Sequence, residues 1–210
     1  LGTISKYFLF AIDMEITASE NAESMMICTP FLNKPSHFYC NYKKNCFIAS
    51  GKVKINDEEI IFSKENSFGL IDWGRGIWPY KNKWLWGSAS TRLANGDLFS
   101  FNIGDGFGDL SQATENMVFL NGKAYKFGKI TINYNPKNYL APWSFVNEDK
   151  TFQLTMKPIY DNYTKTNFLI VSMSCHQVFG FFSGEIILEE GKKIILDQIF
   201  AFCECCHNRW

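Results

Sequence analysis

The stretch that decides the fold runs from residue 69 to residue 90 and reads GLIDWGRGIWPYKNKWLWGSAS. It contains four of the six tryptophans of the chain, together with four glycines, Asp72 and Arg75. Indole rings supply wide apolar contact with little rotamer freedom to lose, and a buried indole N–H needs a hydrogen-bond partner. Glycine lets the backbone approach another segment or a ligand closely. We therefore expect a crowded, rigid and partly polar region, which is either a ligand pocket or an unusually polar corner of the core.

On both sides of this stretch the sequence has the pattern of short strands joined by tight turns. Residues 8–16 alternate between apolar and other side chains, which is typical of a half-buried strand. Asn-Gly pairs at residues 95–96 and 121–122 are strong signals for two-residue hairpins. The polar run at residues 43–45 also indicates a hairpin turn. Each of these signals favours antiparallel pairing of neighbouring strands.

The whole chain shows about a dozen such strands and no helix of three turns. Gly180 and Gly184 interrupt the apolar run 178–188, which predicts a bulge or a barrel bend. An antiparallel meander removes its unpaired edges by closing into a barrel or by forming a sandwich. We therefore predict an all-β, antiparallel fold.

The overall composition narrows the classes of function. Lys plus Arg and Asp plus Glu are 21 each, and a net charge of zero argues against a broad surface for nucleic acid or for an acidic membrane. No run of about eighteen apolar residues is present, so we predict no transmembrane segment. Seven cysteines, an odd number without framework spacing, indicate reduced thiols in a cytoplasmic protein. The chain starts at Leu1 without a signal-peptide pattern, and we expect further residues before it.

Asp72 is the first candidate for chemistry. Desolvation among the tryptophans raises the pKa of a carboxyl group, which keeps a protonated acid available near neutral pH. Such an acid, beside aromatic faces that stabilise a cation, can protonate a carbon–carbon double bond for hydration or cyclisation. The alternative is an ion pair with Arg75 or Arg209, in which Asp72 stays ionised and serves only the structure.

Two other side chains carry weaker functional interpretations. Glu115 would supply a second carboxylate, a pair that also suits glycoside hydrolysis, or it is merely a residue at a strand end. His176, with Gln177 beside it, would orient a water molecule or a ligand hydroxyl, or it is satisfied by a partner in the core.

Cofactor and metal motifs are not evident. The glycine-rich segment 104–109 has neither the dinucleotide spacing nor the Lys-Ser/Thr of a phosphate loop, so we expect no cofactor. In the segment 203–207, strand alternation brings only two of the cysteine and histidine ligands to one face. We therefore predict no metal site.

Several separate motifs resemble a known family. They are Asp72–Tyr80, Trp84–Ser88, Asn102–Gly108, Thr114–Asn116, Pro142-Trp143, His176–Gly180 and Asn208–Trp210. These motifs are similar to those of the bacterial proteins grouped as domain of unknown function 2804, and they cover the chain from about residue 40 onward. That family is similar, more distantly, to the lipocalin-like group that contains carotenoid hydratases and tocopherol-cyclase-like proteins.

The resemblance implies a fold of two consecutive β-barrels, or opened barrels, with a pocket for an apolar ligand. In the hydratase-like members an aspartate is followed by histidine and glutamate. Asp72 matches that aspartate, whereas Trp73 and Gly74 stand at the other two positions. We therefore predict a lipocalin-like barrel over residues 40–210, and part of a preceding barrel or sheet over residues 1–39.

Three hypotheses for the function follow, and whether the protein is an enzyme stays open. In the first, it is a cytoplasmic binding protein, or a cofactor-independent hydratase, isomerase or cyclase, for a hydrophobic or amphipathic small molecule. In the second, it is a carbohydrate-active or carbohydrate-binding protein that uses Asp72 and Glu115. In the third, it is a structural domain without a site. The predicted catalytic residues are Asp72, Glu115 and His176, and the predicted ligand-binding residues are Trp73, Arg75, Trp78, Tyr80, Trp84, Trp86, Asn102, Asn116, Trp143, Gln177 and Arg209.

Overall fold

The computed structural model describes residues 9–18 and 21–209. Apart from one 3₁₀ turn at Glu189–Gly191, the regular structure of these residues is β-strand. The strands are β1 (Phe10–Thr17), β2 (Met25–Phe31), β3 (Lys34–Ile55), β4 (Glu58–Phe62), β5 (Phe68–Ile77), β6 (Lys81–Arg92), β7 (Leu98–Asp105), β8 (Met117–Leu120), β9 (Lys123–Lys126), β10 (Ile130–Asn133), β11 (Trp143–Asn147), β12 (Phe152–Phe168), β13 (Val171–Ile187) and β14 (Lys193–Arg209). In these residues no helix is long and apolar enough to cross a membrane.

The strands form two antiparallel sheets. In the first sheet, β3 pairs with β1, β2, β4 and β5. The second sheet has nine strands in the order β10-β11-β12-β13-β14-β6-β7-β8-β9, and it curls into a half-barrel. The chain changes sheet between β5 and β6, whereas the predicted division at residues 39 and 40 falls inside β3. The prediction of an all-β, lipocalin-like fold is confirmed.

The local turn signals are confirmed in three places. Gly96, at φ 88°, lies in the turn that joins β6 to β7, but the predicted two-residue loop is wrong there, because residues 93–97 separate the two strands. Asn121 and Gly122 have φ values of 51° and 84°, and they join β8 to β9. The register between β13 and β14 shifts next to Gly184, at φ 142°, which is the predicted bulge. Glycine and asparagine tolerate positive φ, and for that reason the sequence marks these turns.

The predicted hairpin at residues 43–45 is wrong. Strand β3 runs straight through this segment, with only a shift in its pairing between Lys44 and Phe47. Lys43 and Asn45 are buried because they point at the second sheet, where Asn45 Nδ2 donates to Ser88 Oγ at 3.0 Å and to the Phe101 carbonyl at 3.0 Å. A polar run therefore marks an interface between sheets at this point, and not a turn.

Two clusters of buried side chains form the core. The larger one fills the inner face of the second sheet, and its fully buried rings are Phe99, Phe101, Trp143, Phe145, Phe152 and Phe182. The smaller one lies between the two sheets and consists of Met25, Ile27, Tyr39 and Phe119. Because rings occupy the inner face of the half-barrel, open space is found on the other face, toward the first sheet.

Strand pairing also changes the expectation for the cysteines. Cys28 lies directly opposite Cys40, and Cys175 directly opposite Cys206, and each pair forms a disulfide. The prediction that all seven thiols are reduced is therefore wrong, because only the register of the strands reveals these pairs. Cys46, Cys203 and Cys205 are free thiols.

Candidate functional site

A cavity of about 280 Å³ lies between the two sheets. Its lining combines rings, carboxyl groups and one lysine, and consists of Tyr39, Cys40, Asn41, Lys43, Asp72, Gly74, Trp78, Trp84, Trp86, Phe107, Glu115 and Glu204. This volume is close to the lower end of the range for small-molecule sites. We call this space the inter-sheet cavity.

The first sheet supplies the polar wall of the inter-sheet cavity. Alternation along β3 turns Tyr39, Asn41 and Lys43 toward the second sheet. The register places Lys43 opposite Asp72 and Asn41 opposite Gly74, so the Asp72 side chain lies on the same face. Asn41 Nδ2 donates to Asp72 Oδ1 at 2.9 Å.

The second sheet supplies the aromatic wall. Trp84 and Trp86 are two positions apart on β6, so their side chains lie on the same face of the sheet. Glu204 of β14 is opposite Trp86. Trp84 Nε1 donates to Glu204 Oε1 at 2.7 Å, and Trp86 Nε1 donates to Asn102 Oδ1 at 2.7 Å. The ring of Phe107 packs edge-on against Trp84, with the ring centroids 5.5 Å apart. Because both indole N–H groups have partners, these rings are held in fixed orientations.

A buried ion pair joins the two walls. Lys43 Nζ lies 2.6 Å from Glu115 Oε2, and both side chains are more than nine-tenths buried. Asn102 Nδ2 also donates to Glu115 Oε2, at 3.1 Å, and Lys43 Nζ is 4.1 Å from the centroid of the Trp86 ring. A buried charge of this kind is tolerated only where it is paired and hydrogen-bonded.

Gly104, near the end of β7, and Gly108, just after it, leave room for the side chains of Glu115 and Tyr39. A side chain at Gly104 would overlap the carboxyl group of Glu115, and one at Gly108, at φ 79°, would overlap the ring of Tyr39. Asn116, a predicted ligand-binding residue, holds this segment instead: its Oδ1 accepts from Gly104 N–H at 2.8 Å and its Nδ2 donates to the Gly128 carbonyl at 2.8 Å. The glycine-rich segment therefore builds the inter-sheet cavity.

We expect Gly104→Ala to displace Glu115 from Lys43 and to lower the free energy of unfolding by about 1–3 kcal/mol, because the added methyl group overpacks a filled site. Urea unfolding at pH 7 measures this change. Gly128→Ala is the matched control, since its methyl group would meet no atom within 4 Å. Equal stability of the two variants would show that Gly104 does not set the position of Glu115.

Asp72 has two polar partners in the inter-sheet cavity. Besides the hydrogen bond from Asn41, Lys43 Nζ lies 4.0 Å from Asp72 Oδ2. The alternative ion pair with an arginine does not form in the described residues. Arg75 lies on the opposite face of the first sheet, and Arg209 Nη2 donates to the Leu169 carbonyl at 2.8 Å. The role of Asp72 as an acid stays a prediction.

Glu204 has the environment that was expected for Asp72. Burial raises the pKa of the Glu204 carboxyl, and the nearby charge of Asp72 raises it further. The hydrogen bond from Trp84, the charge of Lys43 and the hydrogen bond from Gln177 lower this pKa only in part. A carboxyl group in such a place retains its proton closer to neutral pH. Sequence reasoning missed Glu204 because it lies among cysteines, in a segment weighed only for metal binding.

Two buried polar atoms of the inter-sheet cavity have no partner among the described residues. They are the Tyr39 hydroxyl and Asn41 Oδ1. Burial, followed by the charge of Glu115, raises the pKa of Tyr39, so its hydroxyl stays neutral and can donate. An unsatisfied buried polar group costs about 1–3 kcal/mol. Tyr39 and Asn41 both line the inter-sheet cavity, so a donor and an acceptor beside it have hydrogen-bonding capacity that the described residues do not use.

The structure brings some of the predicted residues to the inter-sheet cavity. Those that line it are Asp72, Trp78, Trp84, Trp86 and Glu115. Asn102 and Gln177 lie directly behind the lining, since Asn102 bonds Trp86 and Glu115 while Gln177 bonds Glu204. The tryptophan-rich stretch therefore supplies much of the lining of this cavity, and its role as a functional site stays a prediction.

Other predicted residues lie elsewhere. Trp73 and Arg75 project from the opposite face of the first sheet, because adjacent residues of a strand point to opposite sides. Trp143 is fully buried in the larger core, where its Nε1 donates to the Tyr139 carbonyl at 2.9 Å. Tyr80 donates its hydroxyl to the Ile170 carbonyl at 2.7 Å. Strand alternation alone separates Trp73 and Arg75 from their neighbours that line the cavity.

His176 also lies outside the inter-sheet cavity. Its Nδ1 is 2.8 Å from Asp161 Oδ2, and its ring is stacked between Tyr139 and Tyr163, with centroids 3.7 Å and 4.2 Å away. This environment matches the alternative in which His176 is satisfied by local partners.

One group of three potential metal ligands is present among the described residues. The side chains of Cys175, Glu204 and Cys206 place their ligand atoms within 4.8 Å of one another. The two sulfur atoms are bonded to each other, so neither offers a thiolate to a metal ion.

The curled antiparallel sheet has the lipocalin-like fold, and an aromatic and acidic cavity lies against its outer face. The chain belongs to the family described as Domain of unknown function (DUF2804), whose model matches residues 4–210. The resemblance seen in the sequence motifs is thus confirmed.

Two solved structures are similar to this one. A Nitrosomonas europaea protein assigned as AttH has a TM-score of 0.52 and 12% identity, and the match covers 93% of this chain and 61% of that one. Kievitone hydratase from Nectria haematococca has a TM-score of 0.45 and 8% identity, with 94% and 64% covered. The chain therefore spans less than two thirds of the length of each. No curated protein matches the sequence.

Proposed function

We propose that the protein binds a small hydrophobic or amphipathic molecule in the inter-sheet cavity. The observation that carries this proposal is the pairing of a fixed aromatic wall, built by Trp84 and Trp86, with the unpartnered hydroxyl of Tyr39. Rings supply affinity for an apolar body, and a buried hydroxyl without a partner among the described residues recognises one polar group.

We further propose that bound molecules undergo acid–base chemistry without a cofactor, as in hydration or isomerisation of a carbon–carbon double bond. The protonated carboxyl of Glu204 donates its proton to one carbon of the double bond, and the rings of Trp84 and Trp86 stabilise the cation that develops. In a hydration, the carboxylate of Asp72 takes a proton from the attacking water, whose oxygen forms the new bond. Glu204 and Asp72 line the same cavity, which allows this division of roles.

The carbohydrate hypothesis has less support from this geometry. It requires Glu115 as the partner of Asp72, but Lys43 and Asn102 both occupy Glu115 Oε2. A carboxylate held in this way is a poor nucleophile or base. The hypothesis of a purely structural domain leaves the inter-sheet cavity and the Tyr39 hydroxyl without a purpose.

Native mass spectrometry of protein purified from its own host tests the proposal. We expect a co-purifying small molecule in the wild type and its loss from Trp84→Ala, because the substitution removes much of the aromatic wall. Trp73→Ala is the matched control, since Trp73 lies on the opposite face of the first sheet and is 52% exposed. Circular dichroism establishes that both variants are folded. An empty wild type that also binds nothing on ligand screening, or equal retention by both variants, would contradict the proposal.

A further inference from the structure

The hairpin of β12 and β13 ends in an apolar tip. Phe168, Leu169 and Ile170 are 71%, 83% and 71% exposed, and Val171 follows them. Two-residue hairpin turns usually carry asparagine or glycine, whereas in this hairpin Leu169 adopts a positive φ of 47°. Four consecutive exposed apolar residues at a turn are unfavourable in water, and such a patch marks an interaction site.

The polar atoms of this turn have internal partners. The Leu169 carbonyl accepts from Arg209 Nη2 at 2.8 Å, and the Ile170 carbonyl accepts from the Tyr80 hydroxyl at 2.7 Å. In an apolar medium every backbone carbonyl needs such a partner, whereas in water it does not. The turn is therefore prepared to leave water without orphaning these two carbonyl groups.

A groove rich in basic residues lies beside the tip. It has a volume of about 550 Å³ and is lined by Lys81, Asn82, Lys83, Lys165, Asn167, Ser172, Met173, Ser174, His207, Asn208 and Arg209. The register sets Lys81 directly opposite Arg209, and Ser172 and Ser174 of the same hairpin lie between these cations and Lys165. No carboxyl group lines the groove in the described part of the chain.

Like charges directly opposite one another on a sheet are destabilising. The four permanent cations of the groove, which are Lys81, Lys83, Lys165 and Arg209, are thus arranged as they would be for an anionic partner. The net charge of zero for the whole chain does not reveal this local excess.

We propose that this end of the protein docks on an anionic lipid bilayer. The apolar tip enters the boundary of the hydrocarbon region, and the basic groove binds the phosphates of the headgroups. An exposed apolar segment flanked by lysine and arginine is the combination that peripheral membrane binding requires, since neither signal alone gives stable association. The hydroxyl of Tyr80, at the base of the tip, sits where aromatic residues with a polar end favour the bilayer interface. This proposal does not depend on the proposed function.

The adjacency of the two features favours a bilayer over other partners. A second copy of the chain would bring the same four cations to the contact, and a free phosphate compound would leave the apolar tip in water. An anionic bilayer satisfies both at once.

Co-flotation with phosphatidylcholine vesicles, with and without 30% phosphatidylglycerol (roughly the anionic content that gives a strong surface potential), tests the proposal. We expect the wild type to float only with the anionic vesicles and to be released by salt. Leu169→Asn/Ile170→Ser should weaken binding about tenfold or more, and Lys83→Glu/Lys165→Glu about 30-fold or more. Asparagine tolerates the positive φ of residue 169, so the tip variant stays folded.

Matched controls lie at the other end of the second sheet. Ile195→Ser removes an apolar side chain that is 61% exposed, and Lys129→Glu/Lys150→Glu reverses two exposed charges. Both should bind like the wild type. The proposal is overturned if the wild type does not float, if the controls lose binding as strongly as the test variants, or if glycerol phosphate binds the groove while vesicles do not. Tip-dependent self-association without flotation would overturn it as well, and would assign the surface to a second copy of the chain.

Discussion

Lys43→Met is expected to lower the free energy of unfolding by about 3–5 kcal/mol. Lys43 Nζ is the cationic partner of Glu115, at 2.6 Å, so the substitution leaves this buried carboxylate with Asn102 as its one side-chain donor among the described residues. Removing one member of a buried ion pair costs far more than the pair contributes, because the remaining charge loses its compensation in a medium of low dielectric constant.

Urea unfolding at pH 7 measures this loss. Lys52→Met is the matched control on the same strand: Lys52 pairs with Glu59 at 3.3 Å, but both side chains are about half exposed, so its loss should stay within about 1 kcal/mol. The double variant Lys43→Met/Glu115→Leu should recover most of the stability, since it removes both charges together. If the double variant is as unstable as the sum of the single ones, Glu115 is not the group that makes Lys43 necessary.

Glu204→Gln is expected to lower kcat/KM by about 10²–10⁴-fold for the substrate that native mass spectrometry identifies, because glutamine keeps the hydrogen bond to Trp84 but has no proton to donate. The pH dependence has a definite sign. Glu204 must be protonated to act, and burial raises its pKa, so the wild-type rate falls as pH rises through that raised pKa. The variant should lack this fall.

Asp72→Asn separates the two candidates for the acid. If Asp72 is the base, Asp72→Asn lowers kcat/KM while the fall of the rate at high pH is retained. If Asp72→Asn instead removes the fall at high pH while Glu204→Gln retains the rate, then Asp72 is the acid, as the sequence alone predicts, and the roles of the two carboxyl groups are exchanged.

The fold could be predicted from sequence because its signals are local. The Asn-Gly pair at residues 121–122 requires positive φ at both positions, and the bulge at Gly184 uses a backbone conformation that other residues avoid. Alternation marks most of the other strands in the same way. Strand β5 is harder to recognise from sequence, since its glycines, aspartate and arginine hide the alternation of its apolar residues.

The site could be predicted only in part, because it depends on long-range register. Asp72 and Trp73 are neighbours in sequence, yet the pairing of β5 with β3 sends only Asp72 to the inter-sheet cavity. Lys43 has the sequence context of a turn residue, although Glu115, 72 positions later, holds it in a buried strand. The face on which Glu204 lies is likewise decided by the pairing of β14 with β6, about 120 residues apart.

The smaller core between the sheets has a consequence for how the chain holds together. One disulfide joins two strands of the first sheet and the other joins two strands of the second, so neither crosses between the sheets. In the described residues, the covalent link between the sheets is therefore the main chain around residues 78–80. The first sheet is attached by four buried side chains and a seam of polar bonds, while the half-barrel has a large core of its own. We therefore expect the sheet that bears Tyr39, Lys43 and Asp72 to unfold as a separate cooperative unit of lower stability. A ligand that contacts both walls of the inter-sheet cavity would couple the unfolding of the two sheets. Ligand binding would therefore determine whether the protein unfolds in one cooperative transition or in two.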